Sequence, residues 1–369
     1  MPAPDSTLSW LSLSLVPGLG VGGAWRLLHH FKDPSSILGA PPSTLAQVEG
    51  IRKNQIKGLG STEDWRKQAV LELQRLQSFG AHVVCYDSAY YPPLLKQLVD
   101  PPLLLFVLGD PKILSNTAVA IVGSRAATTY GRRTSFQLAE GLTHYPVSVV
   151  SGLALGIDTE AHRGCLHGGG RTVAVLGCGL DVIYPKQNKG LYGEIARYGA
   201  VVSEYPLGTR PEGFRFPARN RIIAGLSAGV VVVEAARKSG SLITAQMALD
   251  LDRDVFAVPG QVDSCKSEGA HWLLQQGAKL VATASDVADE YGLSMAVQGD
   301  DNEALSENDL DLDPDAVALL ALIDTYGMAR EELIVNSGVV PARVSELLLF
   351  LELEGIIEML PGDRLRKIT

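Results

Sequence analysis

From Ala81 to Val281 one pattern repeats: a short β-branched run, a turn that is often glycine-rich, then an amphipathic helix. The strand candidates are His82–Tyr86, Leu103–Leu108, Val119–Val122, Ser148–Val150, Thr172–Leu176, Val201–Ser203, Val230–Val233, Asp254–Val258 and Lys279–Val281. Helices are predicted over Thr129–His144, Gly156–His167, Asn188–Arg197, Arg219–Leu226, Leu242–Leu249 and Ala270–Gln276. Parallel strands need crossover connections of helical length, so this alternation predicts a parallel sheet covered by helices on both faces. The fold class is therefore α/β, an extended Rossmann-like doubly wound sheet.

The flanks read differently. Residues 1–78 read as a helical module. The turn Pro17-Gly18-Leu19-Gly20 separates two short amphipathic segments, and the unit resembles a helix-hairpin-helix or SAM-like module. That unit is either a phosphate-meeting turn or a small packing module, and Trp25 reads as core. The sheet domain is expected over residues 79–293 and an acidic flexible linker over 294–314. Residues 315–369 hold three helical patterns and a small hairpin, which suggests a winged-helix domain. Its recognition helix, Pro341–Leu353, sets Arg343 against Glu346 and Glu352, so a protein contact is favoured over groove reading.

Net charge of −9 looks wrong for a nucleic-acid binder, but the charge is uneven. Gln298 to Asp315 carries eight acidic residues and no Lys or Arg, leaving −1 for the rest. Overall charge is therefore neutral evidence. No apolar run has membrane-spanning length, and no signal peptide is apparent. The four cysteines are scattered, with no zinc spacing, which suits a reducing cytoplasm.

The densest chemistry lies between Ser203 and Ala245. Four arginines and two phenylalanines fall within twelve residues: Arg210, Phe214, Arg215, Phe216, Arg219 and Arg221, with Asn220 between the last two arginines. Read as a loop, this cluster attracts polyanions and offers rings for base stacking. The bland reading is that Arg219 and Arg221 pair with carboxylates while the rings fill core. Ser239-Gly240-Ser241 then opens a helix after a buried strand, an anion-binding arrangement.

Other strand ends carry similar turns. Gly123-Ser124-Arg125 follows Val119–Val122; Arg125 stands where a dinucleotide fingerprint needs its second glycine, which disfavours an oxidoreductase but permits a phosphate contact. Lys186 precedes a helix start with Asn188 as its N-cap candidate. Asp158 and His162 are four apart on one helix face. They could form an acid/base or metal pair or an internal hydrogen-bond feature. No Walker motif and no Gly-x-Ser-x-Gly elbow is present.

Taken together, VGSR (122–125), SGLALGID (151–158), LGCGLDVIYP (176–185), SEYPLG (203–208), FPARNRIIAGLS (216–227), SGSLITA (239–245) and VFAVPG (255–260) resemble the DNA-processing protein A family, also called Smf. The resemblance implies an extended Rossmann domain that binds single-stranded DNA without catalytic turnover or cofactor. It also implies a recombination mediator of natural transformation, usually homodimeric, that helps load a RecA-type recombinase. Carried onto this chain, Gly123, Ser124, Arg125, Lys186 and the basic segment Arg210–Arg221 would grip phosphates, and Phe214 or Phe216 would meet a base. The competing class is a nucleotide-processing, phosphoribohydrolase-like enzyme. Its PGGxGTxxE-like turn is not matched by Val258-Pro259-Gly260-Gln261-Val262-Asp263; Glu234 is the acid near the Ser239 turn.

Overall fold

The computed structural model describes residues 5–60, 62–295, 314–323, 328–353, 356–360 and 363–367. The acidic segment expected to be a linker lies almost wholly outside them. Two compact units result, residues 1–296 and 297–369.

The first unit opens with six helices: α1 (Asp5–Leu15), α2 (Gly20–Phe31), α3 (Pro34–Gly39), α4 (Pro42–Leu45), α5 (Lys53–Leu59) and α6 (Thr62–Phe79). Gly18 and Gly20 take φ of 70° and 63° in the α1–α2 turn. Gln55 donates to the carbonyls of Gly18 and Leu19 at 3.1 and 3.0 Å, so the turn is packed onto α5. The indole of Trp25 is half-buried and donates to the Pro101 carbonyl.

Nine strands follow, β1 (Ala81–Cys85), β2 (Leu104–Gly109), β3 (Ala118–Val122), β4 (Ser148–Ser151), β5 (Thr172–Val175), β6 (Ala200–Ser203), β7 (Gly229–Val232), β8 (Asp254–Ala257) and β9 (Lys279–Leu280). Their helices are α7 (Thr129–Leu142), α8 (Ile157–His167), α9 (Lys189–Tyr198), α10 (Arg215–Leu226), α11 (Gly240–Leu249), α12 (Glu268–Gln275) and α13 (Ala284–Glu290). The sheet order is β1-β2-β6-β5-β4-β3-β7-β8-β9. Strands β6 through β9 are mutually parallel in that order, whereas β2 runs antiparallel to both β1 and β6.

Period-two alternation splits the core. On β3, Val119 and Ile121 pack with α7, α8 and α13, while Ala118, Ala120 and Val122 face residues of α10, α11 and α12. A third cluster joins Trp10, Leu27 and Leu76 of the helical module to Phe106, Val201 and Ile195. The helical module and the sheet therefore share one core. Chain order reverses between β3 and β7, which is a topological switch point.

The second unit contains α14 (Pro314–Leu322), α15 (Arg330–Ser337) and α16 (Pro341–Leu353), with strands β10 (Met328–Ala329), β11 (Ile357–Leu360) and β12 (Arg364–Lys367). Its small sheet has order β10-β12-β11, and Leu319, Leu333, Leu347 and Leu365 fill a separate core. On α16, Arg343 pairs with Glu346 at 2.8 Å. Among the described residues no single helix is long and apolar enough to cross a membrane.

Candidate nucleic-acid interface

At the switch point, β3 and β7 end side by side and their turns are tied together. Ser124 N–H donates to the Glu234 carbonyl at 2.8 Å. The buried Glu234 carboxylate accepts from both the backbone N–H and the hydroxyl of Thr128, the N-cap of α7. Gly156 then closes on the same turn. It takes φ of 82°, and a Cβ there would lie 2.3 Å from the Ser124 carbonyl oxygen. A side chain at 156 would push the Gly123-Ser124-Arg125 turn away, so glycine is required by both conformation and space. Glu234 is thus occupied in holding a helix start, at the position where a carboxylate favours the helix dipole.

The turn holds Arg125 outward and exposed. Its guanidinium lies over the Phe216 ring, 5.3 Å from the centroid. Phe216 in turn meets Tyr184, with centroids 5.5 Å apart and planes inclined by 33°. Tyr184 is two residues before the exposed Lys186. Arg125 therefore lies on one member of an aromatic pair and Lys186 is two residues along the chain from the other, and among the described residues neither is in an ion pair.

The basic segment departs from expectation. It is not all loop: α10 begins at Arg215, four residues earlier than anticipated, with Pro217 in its first turn where a missing N–H costs nothing. Its arginines then separate by face. Arg219 is buried; its Nη1 donates to the carbonyls of Gly152 and Val175 and its Nε to Asn220 Oδ1. Burial pushes the Asp158 carboxyl up, opposed by the nearby Arg219 charge and by N–H donors from Ala154 and Gly152. Arg221 pairs with half-buried Glu204 and donates to the Asp100 carbonyl at 3.0 Å. Arg215 pairs with Glu212 at 3.4 Å and lies 4.9 Å from the ring centroids of both Tyr205 and Phe214. Arg210 is exposed and in no ion pair among the described residues. Asn220 reaches the Gly240 carbonyl at 3.4 Å, joining α10 to the Ser239 turn.

That turn has the expected geometry. Ser239 caps α11 by accepting from Ser241 N–H, and its hydroxyl meets that of Ser241 at 2.7 Å. Space beside Gly240 is open. Asn188 differs: it stands at the start of α9, but its amide donates to the Leu153 carbonyl and to Thr159 instead of capping. Asp158 and His162 do not pair; His162 Nδ1 contacts Thr172 Oγ1 at 2.7 Å. Among the described residues no cluster of His, Cys, Asp and Glu could hold a metal ion.

Two groups escaped sequence reasoning. Glu72 of α6 accepts from Leu207 N–H at 2.7 Å, and Asp181 accepts from Gly208 N–H at 2.6 Å. Together they fix the loop that leads to Arg210. Tyr184 also went unremarked, although its place beside Lys186 was the available signal.

A doubly wound sheet with cations and rings at its strand ends, and a winged-helix unit, define an extended Rossmann-type protein. Two family models match this chain: "DNA recombination-mediator protein A" over residues 82–292 and "DprA winged helix domain" over residues 303–363. The chain belongs to the DNA recombination-mediator protein A (DprA/Smf) family. Protein Smf of Escherichia coli is 37% identical over 97% of this chain and 95% of its own length. DNA processing protein DprA of Streptococcus pneumoniae is 48% identical over 60% of this chain and 76% of its own. The X-ray structure of that pneumococcal protein superposes with a TM-score of 0.68, covering 80% of this chain and all of that one at 37% identity. A Helicobacter pylori DNA processing protein A, whose structure is described as revealing a single-stranded DNA binding mode, gives 0.52 at 32% identity over 57% of this chain and 95% of that one.

Proposed function

We propose that this chain binds single-stranded DNA along the carboxyl ends of its parallel strands, as a recombination mediator of natural transformation. The observation that carries this is exposed Arg125, in no ion pair among the described residues, lying over Phe216 of the Phe216–Tyr184 aromatic pair, with exposed Lys186 two residues beyond Tyr184. Cations would hold phosphates and rings would hold bases, with no base-edge code and hence no sequence preference. Gly123 and Ser124 shape the first phosphate contact. Ser239, Gly240 and Ser241 offer a second at the start of α11. Arg210 and Phe214 line the approach. Arg215, Asn220 and Arg221 brace α10, and Arg219 acts from inside by fixing the Gly152 and Val175 ends of β4 and β5.

The protein acts by binding, not by turnover. It works in the cytoplasm as a homodimer and delivers the coated strand to a RecA-type recombinase. The family membership and the relative described as binding single-stranded DNA support this reading.

The test is fluorescence anisotropy of a labelled single strand at several salt concentrations, with duplex competitor of equal length. Wild type should bind the single strand preferentially. Arg125→Ala and Lys186→Ala should each weaken binding and lower the slope of log K against log salt by about 0.7. Absent binding, or unaltered binding in both variants, refutes the assignment. Base release from a nucleoside monophosphate panel would favour the nucleotide-processing class instead.

A further inference from the structure

Phe216 has little ring surface left to offer. It is half-buried, with the Arg125 guanidinium 5.3 Å from its centroid and Tyr184 at 5.5 Å. The Gly177 backbone closes another side, since a Cβ at 177 would fall 3.1 Å from the Phe216 ring. Phe214 is 67% exposed, but the Arg215 guanidinium lies over it at 4.9 Å. Tyr184 is 42% exposed, and its hydroxyl has no hydrogen-bond partner among the described residues. It rests on Phe216 and keeps ring surface toward solvent.

The neighbouring residues fix that ring. Pro185 is buried, whereas Tyr184 and Lys186 on either side of it are exposed. The turn is thus anchored at its centre, with an exposed ring residue on one side and an exposed lysine on the other. A nucleotide has the same pair of features, a flat base and a phosphate one sugar away.

We infer that Tyr184 is a stacking platform for one base of the bound strand, with Lys186 on the adjoining phosphate and Phe216 as the support that holds the Tyr184 ring. This rests on the single-strand reading above. The two differ in what they require. Phosphate contacts act on any polyanionic strand, while a stacking platform acts only where a base is present.

The experiment uses the full chain with two labelled strands of equal phosphate number, one of thymidine and one of abasic sugar-phosphate. Wild type and Tyr184→Ala, Tyr184→Phe and Tyr184→Trp are titrated with each. Tyr184→Ala should weaken binding of the thymidine strand by about 5- to 150-fold, the range of one base–aromatic stack. Its binding of the abasic strand should stay within about 2-fold of wild type, as for an ordinary surface substitution. Tyr184→Phe keeps the ring and should restore thymidine binding. Tyr184→Trp should show fluorescence quenching with the thymidine strand and none with the abasic one.

Equal losses on both strands would mean that Tyr184 only supports the turn and would overturn the inference. So would thymidine binding by Tyr184→Ala at the wild-type level, with the single-strand reading left standing. If wild type binds neither strand, the single-strand reading falls and takes this inference with it.

Discussion

The carboxylate of Glu72 accepts the backbone N–H of Leu207 at 2.7 Å, across 135 residues of sequence. Glu72 is buried in α6 and also pairs with Arg75 at 2.8 Å. The last helix of the N-terminal module therefore holds the loop that carries Arg210. Glu72→Ala should release that loop, lowering stability by about 1–2 kcal/mol and weakening single-strand binding about 2- to 10-fold through the cost of reordering it. Glu72→Gln keeps an acceptor oxygen and should recover most of the binding. Hydrogen exchange at Leu207 and Gly208 separates the two variants.

Arg219 lies in the middle of the basic segment, yet its substitution should be felt first in folding. Arg219→Ala strips donors from the Gly152 and Val175 carbonyls and removes the positive charge that most opposes the burial of the Asp158 carboxyl. Loss of about 3–5 kcal/mol is expected, read by urea unfolding. Arg125→Ala removes an exposed side chain and should leave stability within about 0.5 kcal/mol.

His162 gives the fold an acid sensitivity. Burial lowers its pKa from the ordinary 6.5 to about 3, with the Arg219 charge adding to the effect. Its Nε2 has no hydrogen-bond partner among the described residues. Below 6.5 the unfolded chain takes up a proton that the native state refuses until about pH 3. Stability contributed by the neutral ring is therefore complete above 6.5 and falls as pH drops, by about 1.4 kcal/mol per unit. Unfolding free energies measured at pH 7 and pH 5 should differ by about 2 kcal/mol from this residue alone. His162→Gln should flatten that dependence by one proton's worth.

Gly131 has no room for a side chain, because a Cβ there would stand 2.3 Å from the Glu234 carboxyl carbon. Gly131→Ala should cost about 1–3 kcal/mol and also weaken single-strand binding, since Glu234 anchors the turn that carries Arg125. Gly193 sits in α9 with open space beside it. Gly193→Ala should raise stability by about 0.5–1 kcal/mol. Thermal unfolding of the two variants checks both signs.

The strands of the sheet were legible because most are short runs rich in Val, Ile or Leu between turn residues, a signal that needs no tertiary information. The start of α10 was not, because Pro217 reads as a breaker until its place in a first turn is known. The fate of Arg219 was half legible. With Ile222, Ile223 and Leu226 it follows the 3, 4 and 7 spacing of an inward face, yet the three neighbouring arginines point to an outward one. Glu72 and Tyr184 were hidden for a plainer reason: each acts on a partner distant in sequence. The turns at Gly123 and Ser239 could be read locally because in each a few small residues join a strand end to a helix start.

Strand β2 pairs with β6, and roughly 90 residues separate the end of one from the start of the other. Five of its six residues are large and apolar. During synthesis at about 5–20 residues per second, the free edge of β2 must wait about 5–18 s for its partner to emerge. Its earlier neighbour β1 can cover only the other edge. Nascent chains stalled within that interval present an unpaired hydrophobic strand, the kind of edge on which chains aggregate and to which chaperones bind. Ribosome pausing before β6 has emerged should therefore tax the yield of this protein more than pausing after it has emerged.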